Sequence, residues 1–338
     1  MNFFFVSAGL LLILSLLFTY LIRIVSLKKN IVDIPNHRSS HQVSTPRGGG
    51  LAFVFLFYAA LFLLFQQRFI QHPILLSLLG GIPIACVGYC DDLFGVKAKW
   101  RGLIHMLSAI WALAWLGGVP LITIGAVSFH APILFFMVAT FITVWFVNLY
   151  NFMDGIDGLA GMEAVFVSSI AGCILLYGGV YSIAFICLAL SVAVAGFLVF
   201  NWPPAKIFMG DVGSGFLGFI FADLMWITHH QHQLPFSMWI ILLSVFIVDA
   251  SCTLIYRIIQ KKKWHLAHRE HAYQRLIQAG FSHKKITLTV LGINFLICFP
   301  AATIYLHLNS NVVYAFLLLI LSAIWLAWFF IIRKHQAV

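Results

Sequence analysis

Charge is scarce in this chain. Asp, Glu, Lys and Arg make up 9% of its 338 residues, against about 25% in an ordinary soluble domain. Acidic residues number 10, beside a hydrophobic content of 62% and 33 phenylalanines. A water-soluble core stops absorbing apolar surface well before that fraction, and a disordered chain needs the opposite composition. A soluble globular enzyme, a disordered segment and a nucleic-acid-binding domain are all excluded. Cysteine is sparse as well. The six (Cys86, Cys90, Cys173, Cys187, Cys252, Cys298) all lie inside apolar runs, and none has the spacing and loop context of a zinc site. They read as small buried free thiols rather than a disulfide framework. Long polar stretches and internal repeats are missing too, so residues 1–338 read as one transmembrane domain.

What the chain has instead is apolar length. About eleven segments, near 3–25, 48–65, 73–90, 102–119, 132–150, 158–177, 180–200, 213–228, 236–256, 285–306 and 312–332, approach the ~20 residues a helix needs to cross ~30 Å of hydrocarbon. The expected fold class is all-α: a polytopic integral membrane helical bundle of about 11 transmembrane helices. The first segment is too long for a signal peptide and carries no Lys or Arg before its apolar stretch, so it reads as a retained helix. The formal net charge of +10 is explained by topology. Nineteen of the 20 Lys and Arg residues border one alternate set of loops, and only Arg68 lies on the other side. The positive-inside rule then places the N-terminus outside and the C-terminus in the cytoplasm, with cytoplasmic loops near 28–47, 91–101, 148–161, 201–213 and 258–284.

The few carboxylates crowd that same side. Asp91 and Asp92 sit in GYCDDLFGVKAKWR, followed by Lys97, Lys99 and Arg101. Adjacent carboxylates repel each other, so one needs a cation or a proton. Acids beside bases at a membrane surface suit a site that holds Mg²⁺ and phosphate together. In NLYNFMDGIDGLAG, residues Asn148, Asn151, Asp154 and Asp157 recur every three positions and stay near one helix face. Their oxygens are hard donors of the kind Mg²⁺ takes. In FNWPPAKIFMGDVGSGFLGF, Asp211 lies between two glycines just before an apolar helix. A simple N-cap is the competing reading there. Phe208, three residues earlier, suits stacking on a base or anchoring the loop. The last loop, KKKWHLAHREHAYQRLIQAGFSHKK, gathers His265, His268, Arg269, His271 and Arg275. These suit phosphate or pyrophosphate better than zinc, for which no acid or thiol has a structural spacing. The first loop, DIPNHRSSHQVSTPRGGG, brings His37, Arg38, His41, Thr45 and Arg47 before a glycine-rich helix entry, a weak anion-binding signal taken alone. Asp223 and Asp249 fall inside apolar segments, and their spacing assigns neither a role.

Taken in order and on one face, Asp91-Asp92, NxxNxxDGIDGLAG, FMGDVGS and the late His-rich loop resemble the polyprenyl-phosphate N-acetylhexosamine-1-phosphate transferase family. The resemblance runs from His37 to about Arg275. It implies transfer of an N-acetylhexosamine-1-phosphate from a UDP-sugar to undecaprenyl phosphate, with release of UMP. It further implies Mg²⁺, for which Mn²⁺ would substitute, held by Asn151 and Asp211. Asp91 would be the base or orienting group for the lipid phosphate, with Asp92 next to the metal. Arg101 stands where the family often has a pyrophosphate-contacting Lys. Asp157 would bond the uracil and Phe208 pack on it. Asp154, His268 and His271 join the catalytic set, and Thr45, Arg47 and Arg269 the substrate-binding set. The implied partners are undecaprenyl phosphate, the UDP-N-acetylhexosamine, membrane lipid and a second copy as a homodimer, with no nucleic acid. The implied location is the bacterial inner membrane, with the active site on its cytoplasmic face.

Two departures refine this reading. The late loop is HREHAYQRL rather than the consecutive histidines of the peptidoglycan branch. It is more similar to the O-antigen and capsule branch, whose donors are UDP-GlcNAc, UDP-GalNAc, UDP-FucNAc or UDP-QuiNAc. Arg101 keeps a lysine's charge and changes the geometry offered to phosphate. A transporter would place its functional charge near the midplane, and a CDP-alcohol phosphotransferase would continue DGIDGLAG differently. Both fit the pattern less well.

Overall fold

In hydrocarbon every backbone N–H and C=O must be satisfied within the segment, so apolar runs of this length become helices. The computed structural model describes residues 2–35, 43–118, 122–124, 127–129, 131–262, 268–308 and 311–335. Its helices in chain order are α1 (Asn2–Lys28), α2 (Gly50–Gln66), α3 (His72–Leu78), α4 (Gly81–Phe94), α5 (Ala98–Trp115), α6 (Pro132–Met153), α7 (Leu159–Tyr177) and α8 (Tyr181–Asn201). They continue as α9 (Asp211–His230), α10 (Phe236–Leu242), α11 (Ser244–Ile259), α12 (Ala272–Gln278), α13 (His283–Ile293), α14 (Phe299–Leu308) and α15 (Asn311–His335). Two short antiparallel pairs complete it: β1 (Val32–Asp33) with β2 (Thr45–Pro46), and β3 (Ile122–Ile124) with β4 (Val127–Phe129).

The protein is an all-α polytopic membrane protein. Each of the eleven apolar segments falls on a helix or on an interrupted helix. Among the described residues seven helices are long and apolar enough to cross a membrane, and eight if the bent pair α10–α11 is one span. That is fewer than the eleven read from hydropathy: α2 has 17 residues, and α5 carries Lys99 and Arg101 in its first turn. Three segments that read as continuous are broken. The third divides at Leu79–Gly80 into α3 and α4, α10 and α11 meet at 81°, and a π turn at Asn294–Cys298 separates α13 from α14.

Helix α9 is the axis. Every residue from Val212 to Thr228 is buried, as a helix apolar on all sides requires. Around it glycine permits close backbone approach. A Cβ on Gly50 would lie 2.6 Å from the Cα of Gly213, one on Gly88 2.7 Å from the Val212 nitrogen, and one on Gly218 2.8 Å from the Cα of Val147. Small residues do this work in membranes because lipid gives helices no hydrophobic reason to associate. The result is that the ends of α4 and α6 and the starts of α5 and α9 share one end of the bundle. These are the termini that carry Asp91, Asp92, Arg101, Asn151, Asp154 and Asp211.

Candidate active site

The site is assembled around the N-terminus of α9. Asp92, at the end of α4, accepts the backbone N–H groups of Asp211 (3.1 Å) and Val212 (3.3 Å) through its two carboxylate oxygens. It therefore caps a helix from another element, satisfying orphan donors and placing negative charge on the positive end of the helix dipole. Gly210 turns with φ +78°, and a side chain there would collide with Asp92. Asp211 heads the helix rather than capping it. Its Oδ1 accepts from Asn151 Nδ2 at 3.0 Å, and the same nitrogen lies 3.0 Å from Ser214 Oγ. Its Oδ2 accepts from Arg101 Nη1 at 3.0 Å, and that nitrogen also bonds Asp91 Oδ2. Asp91 is held in turn by the Val96 N–H at 2.5 Å. Arg47 completes the group, 2.8 Å from Asp33 and 3.9 Å from Asp92. The β1–β2 pairing, with Asp33 opposite Thr45, brings the two ends of the first loop together so that this contact forms.

Asp154 follows α6 at the same end. Burial first, then the charges of Asp211 and Asp92, push its carboxyl well above the usual carboxylate range. Arg101 pairs with Asp91 and Asp211, and Arg47 with Asp33 and, at 3.9 Å, Asp92, so two guanidinium groups face four carboxylates with Asp154 at the same end of the bundle. The surplus negative charge calls for a proton or a further cation.

Other sequence-picked residues are placed differently. The Asp157 carboxylate accepts the Ala205 N–H at 3.0 Å and lies 3.2 Å from His283 Nδ1, while its carbonyl accepts from Thr287 Oγ1 at 3.0 Å. It ties the 202–210 loop to α13, a structural engagement not foreseen for a uracil partner. Phe208 joins the first loop by its backbone, its N–H donating to Pro46 O (2.8 Å) and its carbonyl accepting from Gly49 N–H (2.9 Å). Thr45 is buried and donates to Val43 O at 2.9 Å. His268 and His271 stack with ring centroids 4.9 Å apart, and His271 packs 5.9 Å from the ring of Phe152, beside Asn151. Burial, then His271 and Arg257, hold the His268 imidazole down to about 4. It is neutral at pH 7, a hydrogen-bonding group rather than a cation for phosphate. The Arg269 carbonyl accepts from Gln278 Nε2 at 2.9 Å. His37, Arg38, His41 and His265 lie outside the described residues.

Comparison with known proteins decides the family. A glycosyl transferase family 4 model matches residues 74–229. A probable undecaprenyl-phosphate N-acetylglucosaminyl 1-phosphate transferase of Bacillus subtilis (strain 168) is 31% identical over 88% of this chain and 85% of its own. The chain belongs to glycosyl transferase family 4, the polyprenyl-phosphate N-acetylhexosamine-1-phosphate transferases. A Yersinia pestis undecaprenyl-phosphate alpha-N-acetylglucosaminyl 1-phosphate transferase is 30% identical, over 80% of this chain and 76% of its own. A Mycobacterium leprae decaprenyl-phosphate N-acetylglucosaminephosphotransferase is 29% identical over 84% and 79%.

In this family 4 transferase, three site residues escaped the sequence reading as members of the site. Ser214 holds Asn151 one turn into α9, Asp33 holds Arg47, and His283 holds Asp157. Ser214 was readable, since GDVGS puts a hydroxyl three residues after Asp211 and so on a neighbouring helix position. Asp33 and His283 were not, because their partners lie 14 and 126 residues away.

Proposed function

We propose that this protein transfers N-acetylglucosamine-1-phosphate from UDP-GlcNAc to undecaprenyl phosphate on the cytoplasmic face of the bacterial inner membrane. The product would begin a surface polysaccharide such as O-antigen. The observation that carries the reading is the Asp91–Arg101–Asp211–Asn151 network, capped by Asp92, at the end of the bundle where a lipid phosphate and a soluble nucleotide can meet. The names of the relatives support the GlcNAc donor and the undecaprenyl acceptor.

An oxygen of the lipid phosphate attacks the β-phosphorus of the sugar nucleotide, the bond to the α-phosphate oxygen breaks, and UMP departs with that electron pair. Such a transfer is mostly positioning and charge neutralisation. Arg101 lies between Asp91 and Asp211 and can present positive charge to the diphosphate. Arg47 does the same at the rim, beside Asp92. Neutral His268 accepts the Glu270 N–H at Nδ1 (3.4 Å), so its proton sits on Nε2 and is available to a phosphate oxygen.

Mg²⁺ fits the donor set. The oxygens of Asp211, Asp92, Asp91 and Asp154 are hard, their charge is in surplus, and Asp211 and Asn151 would hold the ion. Among the described residues no three carboxylate, imidazole or thiol groups are gathered as a metal cage. Mg²⁺ usually completes its shell with water and substrate phosphates rather than with protein groups alone. Asn151 turns its amide nitrogen toward Asp211 here, so ligation through its oxygen requires the amide to flip. When bound, Mg²⁺ would neutralise the phosphate charge that the two arginines leave uncovered.

The test is UMP release by the purified protein with undecaprenyl phosphate and Mg²⁺, across UDP-GlcNAc, UDP-GalNAc, UDP-FucNAc and UDP-QuiNAc. UMP that requires lipid, metal and UDP-GlcNAc supports the reading. Release with another donor alone replaces the sugar, and no release from folded protein refutes the transferase assignment.

A further inference from the structure

The late histidine loop and the carboxylate cluster are joined by a residue that belongs to neither motif. Asp249 lies in α11 and is buried. A carboxylate in a membrane span is costly unless its oxygens are satisfied. Here Oδ1 accepts from the Ala272 N–H (2.8 Å), Thr253 Oγ1 (3.2 Å) and Trp325 Nε1 (3.2 Å), and Oδ2 accepts from the Tyr273 N–H (3.3 Å). His271 Nδ1 lies 3.7 Å from Oδ1. Asp249 thus takes the first two amides of α12 and faces the histidine that precedes them.

The connection continues to the reacting end. Tyr273 Oη donates to the Phe152 carbonyl at 2.7 Å, next to Asn151. Gly155, next to Asp154, leaves room for the Tyr273 ring, since a Cβ there would come within 3.0 Å of Cζ. The His271 ring packs against Phe152, His268 and, at 6.0 Å, Tyr273. A carboxylate fixed in α11 therefore sets the height and orientation of the loop that carries His268 and His271 against the end of α6.

We propose that Asp249 is a positioning residue of the transfer reaction, acting through His271 and the start of α12. This rests on the reading that His268 and His271 border the reacting phosphates.

The test uses the full-length protein in detergent, with UMP release measured for Asp249→Asn, His271→Asn and the double variant, and thermal melting followed in parallel. Asparagine keeps the size and one acceptor but loses the charge facing His271. We expect kcat to fall about tenfold or more, with KM for the UDP-sugar within about threefold. The double variant should be no slower than the slower single one, because coupled residues are not additive. A wild-type kcat in Asp249→Asn overturns the proposal. So do losses that multiply in the double variant while melting falls in step, which would mark Asp249 as structural only. If Asp249→Asn does not fold, Ala272→Pro asks the same question. It removes the amide donor at the first helical position, where proline is tolerated, and His271 already has the extended backbone that precedes proline (φ −60°, ψ 149°). A kcat lowered about threefold or more with KM held supports the proposal, and an unchanged kcat refutes it. A wild-type protein inactive with every donor fails the functional reading itself, whereas an active wild type beside an equally active Asp249→Asn fails only this proposal.

Discussion

Single side chains in this protein do several jobs at once, and substitution separates them. Asp211 accepts from Asn151 and Arg101 while its own N–H is held by Asp92. Asp211→Asn keeps the shape and removes the charge. Turnover should fall about a hundredfold or more, ~2.7 kcal/mol in the barrier, while the melting temperature stays put or rises as carboxylate repulsion is relieved. Wild-type turnover would remove Asp211 from the reacting group. His268 supplies a pH-dependent prediction. Its folded value is about 4 and its ordinary value 6.5, so between these the unfolded chain binds more protons than the folded one. Stability is intact above about pH 6.5 and is lost as pH falls through about 4. Thermal melts from pH 7 to 4 should show this decline, and His268→Gln should flatten it; an unchanged slope would mean that His268 titrates normally. The sequence displayed these residues but not their states. That Asp92 caps α9, and that a histidine beside Arg257 and His271 loses its charge, are consequences of distant chain segments meeting.

At the scale of elements, the helices were legible because a run of about 20 apolar residues has one solution in lipid. Their interruptions were not. A break at Leu79–Gly80, a bend of 81° between α10 and α11 and a π turn at Asn294 all occur inside uniformly apolar text, where hydropathy carries no signal. The π turn coincides with a buried polar contact, Asn294 Nδ2 donating to Glu163 Oε2 at 2.5 Å, and a side-chain pair of that kind is invisible to periodicity. The α4–α9 seam gives a direct test. A methyl on Gly88 would lie 2.6 Å from the Asp211 carbonyl carbon and 2.7 Å from the Val212 nitrogen, and backbone cannot retreat as a flexible side chain can. Gly88→Ala should cost about 1–3 kcal/mol in stability and lower turnover by moving Asp92 off the helix it caps. Gly102→Ala in α5, where nothing lies within 4 Å, is the matched control and should leave turnover unchanged and hold or raise stability, since alanine favours a helix over glycine by up to about 1 kcal/mol. Equal melting of the two variants would show that the seam is looser than described.

The whole molecule is organised by an asymmetry of charge across the bundle. Carboxylate pairs, arginines and the histidine loop collect at the ends of α4, α6 and α11 and the starts of α5, α9 and α12, whereas the opposite connections around Gly117–Gly118 and Gly178–Gly179 hold no Asp, Glu, Lys or Arg. Lys and Arg near a span set its orientation because translocating them is unfavourable. The charged end should therefore face the cytoplasm. There the proposed sugar-nucleotide donor and lipid-phosphate acceptor would meet. Labelling tests this without reference to catalysis. In a cysteine-free background, single cysteines at Gln231, between α9 and α10, and at Lys99, at the start of α5, should report opposite sides. An impermeant maleimide added to intact cells should modify the Gln231→Cys protein at once and the Lys99→Cys protein only after permeabilisation. The reverse pattern would put the carboxylate cluster outside, away from any cytoplasmic sugar nucleotide, and would defeat the proposed reaction even with every distance in the site unchanged.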